Sequence, residues 1–366
     1  MTISSVELNR LGPRHMIAAK PFLFDLTFNE LTEIVTSFGE PKFRAKQVWD
    51  WAYKKLVSSF GQMGDVSKKL REKLKEEINF THLTPQIDLL SSDKWTRKIL
   101  FNLPDNSQIE TVLMGYHTRR TACISTQAGC GLGCTFCATG QGGLQRNITS
   151  GEIVEQVLFF DRILHKKKVK LTNLVFMGMG EPFANYRQVM KAVDTLTNPD
   201  GYNFGARRIT ISTVGIVPMI EKFAVENRQV NLAVSLHAAT DELRETMLPI
   251  NKKYPIDLLM KSCREYVKKT NRRLSFEWAL IDEVNDTPQQ ARELVKLIKG
   301  MLCHVNFIPL NPTRDYKGHE SKQKRIRAFR QILDKAGIPN TLRIRRGIDI
   351  NAGCGQLRHE INHTIP

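Results

Sequence analysis

The chain has 366 residues, 41% of them hydrophobic and 25% charged, the balance of a globular protein large enough to bury a core without disulfide staples. Its 54 basic residues outnumber 37 acidic ones by 17, an excess that points to a polyanionic partner. No apolar run approaches the ~20 residues that span a bilayer, and the N-terminus lacks the apolar stretch of a secretory signal. Membrane binding is therefore not expected. The seven cysteines (123, 130, 134, 137, 263, 303 and 354) are odd in number and three are clustered. That pattern indicates metal or redox chemistry in a reducing compartment, hence the cytoplasm, rather than a disulfide framework.

Residues 1–20 have weak periodicity and read as a loose tail. From Leu26 to about Glu77 the pattern is helical: Phe43, Val48, Trp51, Ala52 and Leu56 share a broad face, and Gly39, Pro41, Gly61 and Gly64 punctuate the helices. Residues 21–90 are read as a small helical domain. Residues 1–90 carry 13 basic and 11 acidic side chains, so the remaining 276 residues hold +15 of the +17.

Residues 91–120 read as a β-rich connection. β-rich segments fall at 97–103, 108–114, 121–126, 171–177, 207–213, 230–236, 274–280, 303–309 and 341–346. Helical stretches at 150–166, 185–197, 216–226, 257–269, 287–300 and 321–336 separate most of the later ones. Alternating strands and helices imply a parallel sheet with helices outside. The expected fold is α/β: a full or partial β/α barrel of about six units over 121–357, a small N-terminal helical domain, and a C-terminal tail over 358–366. No dinucleotide fingerprint and no Walker A loop interrupts it.

Gln127-Ala-Gly-Cys130-Gly-Leu-Gly-Cys134-Thr-Phe-Cys137-Ala-Thr-Gly140 follows an expected strand and precedes an expected helix, where sites in parallel α/β folds lie. Its glycines let a short loop wrap a bulky ligand. A structural zinc wants four ligands, whereas three thiolates suit an iron–sulfur cube with one iron left open. Zinc completed by His117 or His165 is the competing reading of these residues.

The Cys-x3-Cys-x2-Cys spacing, with an aromatic before the last cysteine, resembles the radical SAM superfamily. That resemblance implies a [4Fe–4S] cluster on Cys130, Cys134 and Cys137 that reductively cleaves S-adenosylmethionine (SAM). A closer resemblance runs through Cys123-Ile-Ser-Thr-Gln-Ala-Gly-Cys130, Cys134-Thr-Phe-Cys137-Ala-Thr-Gly-Gln-Gly-Gly-Leu, Met177-Gly-Met-Gly-Glu181-Pro, Ser235-Leu236-His237 and Asp349-Ile-Asn-Ala-Gly-Cys354-Gly-Gln-Leu. These segments, spread over most of 100–357, are similar to the dual-specificity RNA methyltransferases that act at C2 of adenine in RNA. The family's targets are adenine-2503 of 23S rRNA and adenine-37 of tRNA. The helical N-terminal segment fits the family's accessory RNA-binding domain.

C2 of adenine is not nucleophilic, so direct polar methyl transfer fails there. The resemblance implies two SAM molecules per turnover. One methylates Cys354. The other yields a radical that activates the S-methyl group, which adds to C2 as a covalent protein–RNA intermediate. Cys123 then helps remove the C2 proton and resolves the adduct through a disulfide, which a reductant reopens. SAM contacts are implied at Gly180, Glu181, Ser212, Ser235, Leu236, His237 and Asn311. Also implied are a flavodoxin- or ferredoxin-type electron donor and action as a monomer.

Glu110 sits in an otherwise apolar strand. Turned inward it would be a desolvated acid suited to proton exchange with the base, the role its counterpart has in the family. Turned outward it would be an ordinary solvated residue. Cys263 and Cys303 match no motif and are read as core. Among the basic clusters, Arg207–Arg208 and Arg343–Arg346 lie nearest strand ends and are expected on phosphate. Enzymes that methylate C8 of the same adenine share the cysteine motifs; Pro182 and Gln141-Gly-Gly-Leu favour C2. A non-catalytic, metal-containing RNA-binding protein is the alternative from another class.

Overall fold

The computed structural model describes residues 20–357; the segments read as terminal tails lie outside that range, apart from Lys20. Three helices open it: α1 (Phe28–Ser37), α2 (Phe43–Tyr53) and α3 (Lys68–Glu77). Thr27 and Glu30 form a reciprocal capping box that starts α1, and Ser67 caps α3, each satisfying amides that a helix start leaves open. The buried face of α2 is Ala45, Val48, Trp49, Ala52 and Tyr53, not the face drawn through Phe43 and Trp51. At 100° per residue Phe43 lies about 140° from Val48, and it is 57% exposed.

The N-terminal helical run stops at Glu77. Residues Thr84–Leu90, grouped with the helices from sequence, form strand β1. Every β1 residue is exposed, so the strand carried no burial periodicity to read. β1 pairs antiparallel with β2 (Thr96–Asn102), β2 with β3 (Gln108–Gly115), and β3 with β4 (Arg120–Cys123). From β4 the sheet is parallel: β7 (Asn173–Phe176), β8 (Ile209–Thr213), β9 (Asn231–Ser235), β10 (Leu274–Leu280), β11 (Cys303–Pro309) and β12 (Asn340–Leu342) follow in order. Among the described residues these ten strands leave β1 and β12 as edges; the barrel is partial.

Helices return the chain between parallel strands. They are α5 (Ser150–Lys166), α6 (Tyr186–Thr197), α7 (Val217–Glu226), α8 (Asp241–Met247) with α9 (Ile256–Thr270), α10 (Pro288–Ile298) and α11 (Gln323–Lys335). That makes six strand–helix units, as expected from the alternation. The strand anticipated at 341–346 is cut to Asn340–Leu342. Arg343 N–H still donates to Phe307 O at 2.8 Å, but the chain then departs toward Gly347, whose φ is +61°. Between β4 and α5 lies a separate hairpin, β5 (Gln127–Gly129) with β6 (Leu144–Asn147), whose intervening loop carries the cysteine triplet and the short helix α4 (Ala138–Gln141).

The helical segment docks on α5 through a polar cluster. His82 Nε2 lies 2.8 Å from Asp25 Oδ2, and Nδ1 meets the Glu155 carboxylate. Asp25 also accepts from Gly151 N–H at 2.7 Å. Burial disfavours the His82 charge, but the two carboxylates outweigh it and raise its pKa from 6.5 to about 9. The charged imidazolium therefore stabilises the fold fully below about pH 6.5, and that contribution is lost as pH rises through about 9. Thermal unfolding across pH 6–10 should show the wild type losing up to about 3 kcal/mol relative to His82→Gln; parallel profiles would contradict it.

Candidate active site

The carboxyl ends of the parallel strands and the cysteine loop enclose one cavity. Cys130, Cys134, Cys137, Gly180, Glu181, Ser212, Ser235, His237, Asn311 and Cys354 all line it. Each enters from a strand end or the loop after it: Glu181 beyond β7, Ser212 on β8, Ser235 and His237 at the end of β9, Asn311 beyond β11.

The backbone fits that purpose. Gly180 has φ +99°, and a Cβ there would fall 2.5 Å from Gln127 Cβ. Only glycine lets the β7 turn press against β5. Gln127 Oε1 accepts from Glu181 N–H at 2.8 Å. The Glu181 carboxylate in turn accepts from Phe183 N–H and Val214 N–H, each at 2.9 Å. Burial lifts its pKa to about 7 against those hydrogen bonds. His237 adopts φ +60°, rare for a side chain of its size, and its Nδ1 accepts Ala279 N–H at 2.9 Å. Burial, reinforced by Arg244, drops its pKa to about 3, so the ring is neutral and its proton sits on Nε2.

The three loop cysteines are free thiols. Burial pushes Cys130 up to about 11 and raises Cys134 and Cys137 as well. Among the described residues no three His, Cys, Asp or Glu side chains converge on a single-ion site. His117 instead packs edge-on to Trp95, and His165 is exposed on the last turn of α5; neither lines the cavity with the cysteines. The four-ligand zinc reading therefore has no geometry here. A three-thiol donor set bordering a cavity fits a polynuclear cluster with an open iron. Asn311 adds a buried Oδ1 with no partner, facing a site in need of a donor.

Cys354 joins from the far end of the chain. Asn311 Nδ2 donates to its carbonyl at 3.1 Å, and Ala138 N–H donates to Gly355 O at 2.7 Å, tying this loop to the cysteine loop. Cys123, the last residue of β4, is buried just behind the cavity, close enough to Cys354 and Arg343 to feel their charges. Burial pushes its thiol up to about 12.

Two expected contacts do not line the cavity. Leu236 is buried in the core, on the side of the chain opposite Ser235 and His237, and its carbonyl accepts from Arg244 Nε at 3.2 Å. Glu110 does face inward, but Lys98 Nζ meets its Oε1 at 2.8 Å, supplying a counter-charge from the neighbouring strand. Lys98 also donates to Asn351 O at 3.2 Å, in the Cys354 loop. Two residues gain importance from the structure. Glu277 of β10 lines the cavity, held by Asn306 Nδ2 at 2.7 Å; an acid within Leu-Ser-Phe-Glu-Trp-Ala-Leu was its only signal. Arg343, expected on phosphate, turns inward to Cys354 Sγ.

A three-cysteine loop over the carboxyl rim of a partial β/α barrel defines a radical SAM enzyme, and the radical SAM superfamily model matches residues 124–298. The model of the ribosomal RNA large subunit methyltransferase N-terminal domain matches 22–79. A probable dual-specificity RNA methyltransferase RlmN from Caldanaerobacter subterraneus subsp. tengcongensis is 48% identical, over 92% of this chain and 98% of that protein. Its counterpart from Chloroflexus aurantiacus is 46% identical over 96% of each. The crystal structure of a radical SAM methyltransferase from Sphaerobacter thermophilus superposes with a TM-score of 0.90 at 49% identity, covering 92% of this chain and 99% of that one. The chain belongs to the RlmN family of radical SAM RNA methyltransferases. It is an enzyme, and the non-catalytic alternative falls. Membership implies SAM and an iron–sulfur cluster as cofactors and RNA as substrate; among the described residues no helix is long and apolar enough to cross a membrane.

Gly180→Ala should cost about 2–4 kcal/mol in denaturant unfolding, combining backbone strain with overpacking against Gln127. Gly143→Ala, with φ +73° but open space around it, should cost about 1 kcal/mol. Equal costs would show that the Gly180 contact with β5 is not a constraint.

Proposed function

We propose that this enzyme methylates C2 of adenine in RNA, at adenine-2503 of 23S rRNA and adenine-37 of tRNA. The observation that carries the reading is that Cys354 lines the same cavity as the three loop cysteines. A methyl-bearing thiol must stand beside the radical source, and few other reactions require that pairing.

In this reading Cys130, Cys134 and Cys137 hold a [4Fe–4S] cluster. Gly180, Glu181, Ser212, Ser235, His237 and Asn311 hold SAM. When bound, the cluster and SAM together supply a 5′-deoxyadenosyl radical. Glu181, Asn311 and neutral His237 are the polar groups available to orient the methionine and adenosine parts. Cys354 accepts a methyl group and presents it to the base. Cys123 then helps remove the C2 proton, and as a thiolate it bonds to Cys354 sulfur while the Cys354 Sγ–CH2 bond breaks and the freed carbon takes a proton to become the product methyl. The resulting disulfide needs a reductant, which suits a cytoplasmic enzyme drawing on a flavodoxin- or ferredoxin-type donor. Glu110, with Lys98, is a second proton acceptor behind the site. Residues 21–90 act as an accessory RNA-binding domain, and the enzyme works as a monomer.

Anaerobic incubation of the reconstituted enzyme with SAM, reductant and rRNA fragments or tRNA should yield 2-methyladenosine by nucleoside mass spectrometry. Absence of methyladenosine, or 8-methyladenosine in its place, would overturn the proposal. Cys123→Ala should accumulate RNA covalently attached through Cys354, visible as a gel-shifted species. Normal turnover by that variant would remove Cys123 from the mechanism.

A further inference from the structure

We infer that Glu277 is a further SAM-binding residue: its carboxylate accepts hydrogen bonds from the ribose hydroxyls of the cofactor. The inference rests on the reading of the cavity as the SAM site. Three observations carry it.

First, the fold aims this acid into the cavity. Its neighbours Phe276 and Trp278 are fully buried, and Trp278 packs against Phe329 of α11. Alternation along β10 therefore sends Glu277 the other way, and it lines the cavity with Ala279. It is 4% exposed. Second, the carboxylate is held but not neutralised. Glu277, Asn306 and Thr341 stand level on β10, β11 and β12. Thr341 Oγ1 donates to Asn306 Oδ1 at 3.2 Å, which turns Asn306 Nδ2 to Glu277 Oε2 at 2.7 Å. Among the described residues Oε1 accepts from no donor, and Arg343 acts on Glu277 only at longer range. Burial pushes the carboxyl up to about 6 against both influences. A neutral amide would hold Asn306 as well and cost less to bury. An ionised carboxylate is an acceptor only, so its free oxygen calls for a donor from the ligand.

Third, its place along the rim selects the donor. The charge of Glu181 reaches Cys130 and Cys134, so Glu181 stands at the cluster end, where the methionine part of SAM belongs. Glu277 feels Arg343 and no loop cysteine, which puts it at the nucleoside end. There it is level with Ser235 of β9, another cavity residue. A carboxylate beside a hydroxyl, on strands ~4.8 Å apart, suits a vicinal diol. An acid bonding ribose hydroxyls is a recurring device of nucleotide sites.

The test uses the full chain with its cluster reconstituted anaerobically and no reductant. S-adenosylhomocysteine, which carries the same nucleoside and has no methyl group to give, is titrated by calorimetry. Two analogues accompany it, one lacking both ribose hydroxyls and one lacking the adenine 6-amino group. The wild type should prefer S-adenosylhomocysteine over the dideoxy analogue, and Glu277→Ala should shrink that preference about tenfold. Glu277→Gln, whose amide oxygen still accepts but carries no charge, should shrink it about threefold. The cost of losing the 6-amino group should be the same in all three proteins. Each preference is a ratio within one protein, so a misfolded fraction alters the stoichiometry and not the ratio. An unchanged hydroxyl preference in Glu277→Ala overturns the inference, as does a change confined to the 6-amino analogue. If Glu277→Ala does not fold, the near-isosteric Glu277→Gln carries the test, and an undiminished preference there overturns the inference too. Tight binding indifferent to Glu277 sinks the inference alone. No binding by the wild type would sink the SAM-site reading and the inference with it.

Discussion

Parallel strands deliver their carboxyl ends to a single rim, and everything else in this molecule depends on that constraint. Each connection must cross outside the sheet through a helix before the next strand begins. The turns after β4, β7, β8, β9 and β11 therefore collect around one opening. Glu181, Ser212, Ser235, His237 and Asn311 are far apart in sequence yet share a cavity because they hold equivalent places in successive units. The β5–β6 hairpin lays the cysteine loop across the opening, and the Cys354 loop closes it through the bond from Ala138 to Gly355 O.

The rim is also where polar groups are taken from water, and the fold answers each with a specific partner. Glu181 is held by two backbone amides. His237 is fixed in one tautomer by Ala279. Arg244, 0% exposed, bonds the carbonyls of Val214 and Leu236 and the side chain of Asn251. Such groups are costly unless paired, and pairing them fixes where each points. The same logic governs the distant junction of the helical segment with α5, where His82 is shared between Asp25 and Glu155. Charge placed between elements, rather than apolar area alone, sets how the two parts of the chain meet.

Much of this was legible in the sequence. The six strand–helix units followed from alternation, because strands such as β11, with Cys303, Val305, Phe307 and Pro309 buried in turn, carry their burial in their pattern. The cysteine triplet was legible because its spacing is dense. Other features are set by tertiary context. β1 is exposed throughout, so it has no apolar period. Leu236 sits between the cavity residues Ser235 and His237, and alternation along the extended chain puts its side chain on the opposite, core side. The sequence leaves Glu110 free to face either way on an alternating strand, and its inward pairing with Lys98 depends on the β2–β3 register, which composition does not encode. The inward turn of Arg343 was hidden inside a basic run whose neighbours do face carboxylates near the surface.

The proposed function puts an iron–sulfur cluster on Cys130, Cys134 and Cys137 at the rim, with Cys123 and Cys354 kept free for methyl transfer. Iron and sulfide content after anaerobic reconstitution tests it most directly. The wild type should hold about four irons and four sulfides per chain. They should be lost on changing Cys130, Cys134 or Cys137 to Ala and retained in Cys123→Ala and Cys354→Ala. A full cluster surviving the removal of a loop cysteine, or zinc in place of iron, would contradict it.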